Sequence, residues 1–328
     1  MTATLSPPDP ALVARFAADL GRLAPVDSKL GLAVSGGPDS LALLLLSAAA
    51  RPGRIEAATV DHALRSESAA EADAVAKICE RLGVPHATLT AQWREKPETA
   101  IQERARAERY RLLASWLGER GLSALVTAHQ LDDQAETLLM RLNRGAGARG
   151  LAGMRPVAPI PGSGANARLL RPLLGWRRSE LRAVCDASGI TPVDDPSNAD
   201  ERFERVRIRR GLAAVGWLDP RAMANSAANL ASAEVALHWA VDREWEARVR
   251  RSAQEIVYVP SAPAEIRRRV VRRAVAELAT EGQRTALRGH ELDRLVAVLS
   301  AGGKATLRGV LCIGGEEWRF APAPKRRT

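Results

Sequence analysis

The sequence is poor in aromatic residues and cysteine, and it has no long apolar run. Aromatics make up 4% of the 328 residues, which favours a helix-rich fold over a sandwich of short strands. The three cysteines, Cys79, Cys185 and Cys312, are scattered, which argues against a disulfide framework and against a zinc or iron–sulfur site. No apolar run reaches the ~20 residues of a membrane span, and no signal peptide is visible. We therefore expect a cytoplasmic protein without membrane association.

Basic charge is in excess, and the excess is uneven. The formal net charge is +10. Residues 201–328 carry 24 Lys and Arg against 15 Asp and Glu, whereas the first 200 residues carry 24 against 23. A general bias towards arginine would spread evenly along the chain. The C-terminal excess therefore favours a region that binds a polyanion such as nucleic acid.

Strands and helices alternate in the first part of the chain. The predicted strands are 29–35, 55–60, 86–89 and 123–127, and the predicted helices are 38–50, 67–82, 99–119 and 131–143. This alternation predicts a doubly wound, mostly parallel α/β sheet with helices on both faces, similar to a Rossmann fold. Ligands of such sheets bind beyond the carboxyl ends of the strands.

The pattern changes after residue 144. Residues 144–164 are rich in Gly, Pro and Ala and predict a long loop. Most of the remainder predicts helices, at 177–188, 203–215, 225–251, 263–280 and 290–299, followed by two strands at 305–313 and 317–320. We therefore expect an α/β domain at 1–216 and a smaller, mainly helical domain at 217–328.

A glycine-rich hexapeptide, SGGPDS, connects the first predicted strand to its helix. Its glycines allow the backbone to approach an oxyanion, and the helix start offers unpaired N–H groups. It lacks the lysine of the GxxxxGK[ST] phosphate loop, and its acid repels phosphates unless a metal ion bridges them. We therefore predict Asp39 as a Mg²⁺ ligand. The predicted phosphate-binding residues are Ser35, Gly36, Gly37, Pro38, Asp39 and Ser40.

SGGPDS resembles the pyrophosphate-binding loop of the N-type ATP pyrophosphatases. The resemblance implies ATP as substrate and a fold like that of the adenine nucleotide alpha hydrolases. These enzymes cleave ATP between the α and β phosphates, adenylate an oxygen of a second substrate and displace AMP with a nucleophile. Because members differ in substrate, the loop alone does not name the reaction.

Further motifs resemble those of the tRNA(Ile)-lysidine synthetase family. They are VDHALR (60–65), TAHQLDDQAET (127–137), RGAGARGLAGM (144–154), RPLL (171–174) and DDPSN (194–198). The resemblance covers residues 30–210. It implies a ligase that uses ATP and free lysine to convert the wobble cytidine of tRNA(Ile) with a CAU anticodon into lysidine, which changes decoding from AUG to AUA. Residues 1–216 would be its catalytic domain and 217–328 its tRNA-binding domain, and a homodimer is left open.

This reaction needs acids near the lysine ammonium and a base, because an amine of pKa ~10.4 is protonated at neutral pH. Asp133 and Glu136 lie three residues apart on a predicted helix, and His129 precedes that helix at a strand end. The resemblance implies that these three residues contact lysine and that Arg109 holds its carboxylate. With Asp39 they are the predicted catalytic residues. His129 fits the proton acceptor by its ordinary pKa, but a carboxylate could also serve.

Two other segments are predicted to border the nucleotide. His62 and Arg65 follow a strand end and are predicted ATP contacts, with an ordinary loop as the alternative. The glycines of RGAGARG predict a mobile loop that closes over the site, with a plain linker as the alternative.

Basic residues near and beyond the domain boundary are predicted tRNA contacts. RFERVRIRR (202–210) resembles the family element RNRIR, but Val206 stands where the family usually has Asn. The alternative is a solvated helix face. The arginines predicted to neutralise tRNA phosphates are Arg205, Arg207 and Arg209, with Arg267 and Arg268 from the basic helix at 263–273.

Two other functions compete with lysidine synthesis. A related ATP pyrophosphatase could thiolate tRNA or amidate a small molecule, but thiolation usually needs reactive cysteines and the chain has no CxxC. A non-catalytic nucleotide- or RNA-binding module would not need Asp39 or the acids at 132–136. Lysine transfer to tRNA separates the three hypotheses.

Overall fold

The structure is a computed structural model that describes residues 5–63, 68–93, 101–163, 167–192, 200–279, 287 and 289–324. The chain divides into two compact units, Met1–Ala231 and Ser232–Thr328. The predicted boundary after residue 216 lies earlier than this division, and as a boundary between functions it stays a prediction.

Within the described residues, a six-stranded sheet forms the centre of the first unit. Its strands are β1 (Leu30–Ala33), β2 (Ile55–Asp61), β3 (His86–Thr90), β4 (Ala124–Val126), β5 (Val157–Pro159) and β6 (Arg168–Leu170). They lie side by side in the order β3-β2-β1-β4-β6-β5, and each neighbouring pair is parallel except β5 with β6. The predicted mostly parallel sheet is confirmed, although β5 and β6 were not predicted.

Helices connect the strands. They are α1 (Pro10–Gly21), α2 (Pro38–Ala50), α3 (Ser68–Arg81), α4 (Ile101–Arg120), α5 (Leu131–Asn143), α6 (Ala148–Leu151), α7 (Arg178–Ala187), α8 (Glu204–Ala214) and α9 (Pro220–Arg248), which contains the division between the units. Helix α1 was missed, although its start carries a recognisable signal. The Asp9 carboxylate accepts a hydrogen bond from Ala11 N at 2.7 Å, and Pro10 opens the helix.

Alternate residues of the strands face opposite layers of helices. Leu32 and Val126 belong to a core that includes the buried faces of α1, α2 and α7. Their chain neighbours Ala33 and Leu125 pack against α4 on the other face. The side-chain period of two in a strand produces this arrangement, and it confirms the predicted helices on both faces.

The longest apolar run of the sequence is buried in this core. All residues from Leu41 to Leu46 in α2 are buried, as expected for a helix covered on all sides. In the part of the chain that the structure describes, no helix has the length and apolar character needed to cross a membrane.

The strand order reverses direction between β1 and β4. From β1 the chain moves outward through β2 and β3, and it then returns to place β4 on the other side of β1. The loops that leave β1 and β4 therefore separate and open a crevice at the carboxyl edge of the sheet, where ligands of this architecture bind. SGGPDS follows β1 and TAHQLDD follows β4, so the fold brings the two motifs to one edge.

The second unit contains more sheet than the sequence predicts. Its elements include β7 (Val249–Arg251), β8 (Ile256–Tyr258), α10 (Ala264–Leu278), α11 (Gly289–Ser300), β9 (Lys304–Leu307), β10 (Val310–Ile313) and β11 (Trp318–Pro322). As far as the structure describes this unit, the strands form a five-stranded antiparallel sheet in the order β7-β8-β11-β10-β9. The single strand predicted at 305–313 is wrong. Arg308 and Gly309 both have positive φ, which makes a two-residue hairpin turn between β9 and β10.

Candidate active site

The loop after β1 has the backbone geometry of an anion-binding turn. Gly36 has φ +85°, a conformation that side-chain-bearing residues rarely adopt. The Ser40 hydroxyl accepts from Ser35 N at 3.1 Å and donates to Gly37 O at 2.9 Å, which holds the turn closed. Helix α2 begins at Pro38 directly after the turn. Its unpaired N–H groups and positive dipole end therefore lie at the predicted phosphate site.

Asp39 is largely buried and lies close enough to the acid Asp133 to feel its charge. Its side chain is 25% exposed, and its Oδ1 atom is buried without a hydrogen-bond partner. Burial and, next, the charge of Asp133 raise the pKa of Asp39 to about 6. The nearest cationic contact is Arg178, whose Nε lies 3.9 Å from Asp39 Oδ2. The charge of Arg178 and the Gln130 side chain lower this pKa but do not offset burial. A buried carboxylate with a raised pKa is characteristic of a functional group.

Gln130 organises the loop after β4. It is fully buried and caps α5, since its Oε1 atom accepts from Asp132 N at 2.5 Å. In return, Gln130 N donates to Asp133 Oδ2 at 3.1 Å. The two reciprocal bonds form a capping box that fixes Asp133 at the start of the helix. The amide Nε2 of Gln130 is buried without a partner.

Asp133 and Glu136 meet in one cluster with arginines, as the (i, i+3) spacing predicts. Glu136 is 1% exposed and accepts from Arg205 Nε at 2.7 Å and from Arg178 Nη2 and Arg209 Nε at 2.9 Å. Asp133 Oδ1 lies 2.9 Å from Arg205 Nη2 and 3.4 Å from Arg178 Nη2. Burial raises the pKa of Asp133. Burial also acts to raise the pKa of Glu136, but hydrogen bonds from Arg209 and Arg205 and the charge of Arg178 lower it.

This arrangement changes the interpretation of two predicted tRNA contacts. Arg205 and Arg209 lie on α8 and use their guanidinium groups on the acids of α5. Arg207 points elsewhere and donates to the backbone carbonyls of Glu201 at 2.7 Å and Arg202 at 3.0 Å. A phosphate role for Arg205 and Arg209 stays a prediction, and it requires them to leave these acids.

Arg178 is the main site residue that the sequence analysis missed. Arg177 and Arg178 stand at the start of α7, where the helix dipole disfavours cations. Two arginines in such a place signal acids nearby. Asp132 is one of them, because it lies 3.1 Å from Arg177 Nη2 and accepts from Arg178 N at 2.8 Å.

His129 lies among cations. Its Nδ1 atom is 2.9 Å from Thr127 Oγ1. Burial, followed by the charges of Arg171 and Arg109, lowers the pKa of His129 to about 3. The expectation that His129 fits the proton acceptor by an ordinary pKa is therefore wrong for the ligand-free protein. The imidazole is neutral at pH 7, but it is a weak base.

A pocket of about 280 Å³ opens beside the loop after β1. The carboxyl ends of β1 and β2 line it, together with Ser35, His62 and Arg109. Burial and the charge of Arg109 lower the pKa of His62, and His62 Nδ1 is buried without a partner. Arg65, the other nucleotide contact predicted in VDHALR, lies outside the described residues, as does DDPSN (194–198). Glu71 and Arg109 add charges of opposite sign to the lining, and Ser35 belongs to the predicted phosphate turn.

Comparisons with known proteins agree with this geometry. A family model described as the PP-loop domain matches residues 12–215. The chain is 50% identical over 317 residues to a tRNA(Ile)-lysidine synthase of Novosphingobium aromaticivorans, covering 96% of this chain and 94% of that protein. It is 45% identical over 304 residues to a tRNA(Ile)-lysidine synthase of Zymomonas mobilis, with coverage of 92% and 91%.

The chain belongs to the tRNA(Ile)-lysidine synthase family. The same fold occurs in a solved structure of the U34-tRNA thiolase NcsA from Methanococcus maripaludis with its [4Fe-4S] cluster. The TM-score is 0.55 at 16% identity, and the likeness covers 68% of this chain and 80% of that one.

The RGAGARGLAGM segment (144–154) of this lysidine synthase family member is hydrogen-bonded to α5. Gln134 forms two hydrogen bonds with the backbone of Met154, donating from Nε2 at 2.9 Å and accepting at Oε1 at 2.6 Å. Arg141 Nη1 donates to Gly150 O at 2.5 Å. The segment also contains the short helix α6. The predicted loop closure stays a prediction, and it would have to break these bonds.

The remaining predicted tRNA contacts of the family member differ in their pairing. Arg268 Nε donates to Asp293 Oδ1 at 2.5 Å, and its Nη1 lies 3.6 Å from Glu265. Arg267 forms no ion pair within the described ranges, and its Nε is buried without a partner. Val206, which replaces the asparagine of the family element, is 6% exposed. Val206 therefore belongs to the buried side of α8, and whether this position takes part in binding stays untested.

Proposed function

We propose that this protein ligates free lysine to carbon 2 of the wobble cytidine of tRNA(Ile), using ATP and releasing AMP and pyrophosphate. The observation that carries the proposal is the meeting of two sets of residues at one sheet edge. The anion-binding turn with Asp39 leaves β1, while His129, Asp133 and Glu136 leave the neighbouring β4. One set suits a polyphosphate, and the other suits an amine with two ammonium groups.

The turn Ser35–Ser40 would hold the phosphates of ATP, and His62 beside the turn would contact the nucleoside. Among the described residues, no three His, Cys, Asp or Glu side chains come together as a metal-binding group. A magnesium ion that draws most of its ligands from phosphates and water needs only one or two carboxylates. Asp39 fits that requirement through its unpartnered Oδ1 atom. When bound, the ion would neutralise charge on the phosphates during adenylation of the cytidine oxygen.

Adenylation makes the ring carbon attackable. The cytosine carbonyl is a poor electrophile because it belongs to a urea-like conjugated ring. Its adenylated oxygen is a good leaving group, so the ε-amine of lysine can add to carbon 2 and AMP can depart with that oxygen. The protein must therefore bind lysine as a cation and then remove a proton from its amine.

Asp133 and Glu136 would bind the lysine ammonium groups in exchange for arginine. Three guanidinium groups, of Arg178, Arg205 and Arg209, already neutralise the two acids. An incoming ammonium must displace at least one of them, because a fourth cation in a buried cluster is unfavourable. Phosphates of ATP or tRNA are the anions that can receive the displaced arginine.

His129 is neutral at pH 7 and lies in this crevice, so it can accept a proton from the amine. The arginine charges around it make it a weak base in the free protein. Substrate anions that neutralise those arginines would raise its pKa towards the ordinary value and increase its basicity. The polyanion partner, tRNA(Ile), and the other substrates meet in the cytoplasm, where we expect the protein to act.

The test is a transfer assay with the full chain, ATP, radiolabelled lysine and total tRNA. Label in the RNA that depends on ATP, with AMP as the nucleotide product, supports the proposal. Asp39→Asn should abolish the transfer. Asp186→Asn makes the same chemical change at an acid that is 59% exposed on α7, and it should leave transfer unchanged. If ATP is cleaved to AMP without any lysine in the RNA, another substrate must replace lysine and the proposal fails.

A further inference from the structure

Arg171 is a buried arginine with too few partners. It begins the RPLL motif directly after β6 and is 8% exposed. Among the described residues, its side chain makes one hydrogen bond, from Nη1 to Arg155 O at 2.7 Å, and its Nε is buried with no partner. A guanidinium has five N–H donors, and burying a charged group without partners is strongly unfavourable.

Arg51 illustrates how a buried arginine is usually satisfied. It is 4% exposed and donates to three backbone carbonyls, of Pro25 at 2.6 Å, Val26 at 2.8 Å and Ala24 at 3.1 Å. Its role is complete without a ligand, because it ties the loop before β1 to the end of α2. Arg171 lacks such a set of carbonyls, so its remaining donors point to a group from outside the chain.

The sheet register places Arg171 next to the loop that carries His129. Strands β4 and β6 are parallel with Leu125 beside Leu169, and both of these residues pack against α4. Because side chains alternate along a strand, Thr127 and Arg171, two residues further, lie on the same α4 side. Thr127 N donates to Leu170 O at 3.0 Å, which continues the pairing, and Thr127 Oγ1 contacts His129 Nδ1 at 2.9 Å.

Helix α4 brings further cations to the same face. Tyr110 packs in this core, Arg109 precedes it, and the Arg106 guanidinium lies over its ring at 5.1 Å. In the part of the chain that the structure describes, no carboxylate forms an ion pair with Arg106, Arg109 or Arg171. Burial lowers the pKa of Arg171 and of Arg109; Tyr110 raises it in both cases and Arg106 lowers it further.

We propose that Arg171, together with Arg109, forms an oxyanion site beside His129 that binds the α-carboxylate of the lysine substrate. The inference rests on the proposed function, and it adds Arg171 to a site for which the family resemblance implies only Arg109. Phosphates already have the turn Ser35–Ser40. The lysine ammonium groups have Asp133 and Glu136, on the helix that follows the same β4 loop, so a carboxylate site on that loop completes the recognition of a free amino acid.

The consequence is selectivity for a carboxylate. A hydrogen bond from a charged donor to a carboxylate in a buried site contributes about tenfold to hundredfold in affinity. Arg171→Gln keeps a polar side chain but removes the positive charge and the paired N–H donors of the guanidinium group. It should raise the KM for lysine by that factor. It should also reduce the preference for lysine over lysinamide, which lacks the carboxylate.

The experiment measures transfer to tRNA by wild type, Arg171→Gln and Arg51→Gln, with lysine and lysinamide as amines. Arg51→Gln is the matched control, since it also removes a buried guanidinium and should lower thermal stability without changing the amine preference. The KM values for ATP and tRNA are measured alongside and should not move in Arg171→Gln.

Each outcome of this experiment either supports or overturns the proposed carboxylate site. Loss of the lysine preference in Arg171→Gln alone supports the site. An unchanged preference, or a rise in KM for ATP or tRNA instead, overturns it and assigns Arg171 to structure or to a phosphate. If Arg171→Gln does not fold, Arg171→Lys, which keeps the charge but loses the bidentate guanidinium, should reduce the preference in the same direction by a smaller factor, and an unchanged preference would overturn the site. Absence of lysine transfer in the wild type would contradict the proposed function itself. This outcome is distinct from failure of the Arg171 proposal, in which the wild type transfers lysine and Arg171→Gln keeps the preference for lysine.

Discussion

Arg205 Nε lies 2.7 Å from Glu136 Oε2, so a residue predicted to bind tRNA and a residue predicted to bind lysine contact each other. Glu136 is 1% exposed, while the Arg205 side chain is 37% exposed, so salt screens this pair less than a surface pair. The contact links the two substrates through one charge balance. A phosphate that binds Arg205 would leave Glu136 free to bind a lysine ammonium group. Conversely, an ammonium group that binds Glu136 would leave Arg205 free to bind a phosphate.

The first prediction follows from this link: polyphosphate should strengthen lysine binding. In the presence of a non-hydrolysable ATP analogue, the Kd for lysine should fall by about tenfold or more, because phosphate compensates the arginine that lysine displaces. Isothermal titration of lysine with and without the analogue measures the effect. Adenosine, which carries no phosphate, is the control and should not tighten lysine binding. Equal lysine affinity in all three conditions would contradict the charge exchange.

The second prediction concerns Asp39 and stability. Its pKa is about 6 in the folded protein against an ordinary 3.8, so the folded state favours the protonated form. The carboxylate is therefore destabilising above pH 6, and the penalty fades as pH falls towards 4. Asp39→Asn should raise the free energy of unfolding of the ligand-free protein by ~1–2 kcal/mol at pH 8.

Urea denaturation at pH 8 and pH 4.5 tests this sign, since the gain should be small or absent at the lower pH. The variant should be more stable and inactive, as expected for a carboxylate kept for function. Asp186→Asn on the surface should show no comparable gain at either pH. A loss of stability in Asp39→Asn at pH 8 would falsify the assignment of a raised pKa.

The third prediction concerns His129. Its pKa of about 3 arises first from burial and then from the charge of Arg171. Arg171→Gln should therefore raise the pKa of His129, while Arg51→Gln should leave it where it is. NMR titration of the imidazole signals, assigned with His129→Asn, measures the shift. If His129 of the wild type titrates near 6.5, the arginines do not surround it as described.

The fourth prediction compares two glycines whose replacement by alanine should change the free energy of unfolding in opposite directions. A Cβ on Gly31 of β1 would lie 2.6 Å from Trp116 and 2.7 Å from Leu117, both on α4. Gly31→Ala should destabilise the protein by ~1–3 kcal/mol because α4 must move away from the sheet. Gly118 lies inside α4 with open space around it, so Gly118→Ala should stabilise by ~0.5–1 kcal/mol.

Thermal or urea unfolding of both variants gives the comparison. Opposite signs are expected, since one alanine meets a ring and the other favours a helix. Equal effects would mean that α4 does not approach the sheet closely at Gly31.

The fifth prediction separates Arg267 from Arg268. Arg268 is paired with Asp293, whereas Arg267 has no ion pair among the described residues. Arg267→Ala should therefore weaken tRNA binding more than Arg268→Ala, and it should reduce the salt dependence of log Kd by about one phosphate contact. Filter binding at several salt concentrations measures both. If Arg268→Ala raises the Kd for tRNA as much or more, the ion pair with Asp293 does not prevent Arg268 from binding RNA.

The predicted elements with strong local signals agree with the structure. Helix α2 begins at Pro38 because proline suits the first turn, and α5 begins at Leu131 after a capping residue. The missed helix α1 has a clear start signal in Asp9 and Pro10, whereas the four missed strands have weak local signals. Strands β5 to β8 are three residues long, too short to show an alternation, and only pairing with neighbours stabilises them.

The predicted site shows the same limit. Asp39, His129, Asp133 and Glu136 were predicted from a turn, from a helix start and from the family resemblance, and their roles stay predictions. Arg178 and Arg171 were not assigned, because their roles depend on groups more than forty residues away in sequence, as in the Arg178–Glu136 pair and the Arg171 position beside the β4 loop.

By itself, the sequence determined the chemistry available to this protein: a turn of glycines and serines for phosphates, acids at helical spacing for an amine, and a basic C-terminal region. Short-range geometry suffices for these, because neighbours three or four residues apart meet in any helix. Only the tertiary structure decided the charge state of that chemistry. Burial at the carboxyl edge of the sheet raised the pKa of Asp39 and lowered that of His129, and the packing of α7 and α8 against α5 paired the acids with arginines.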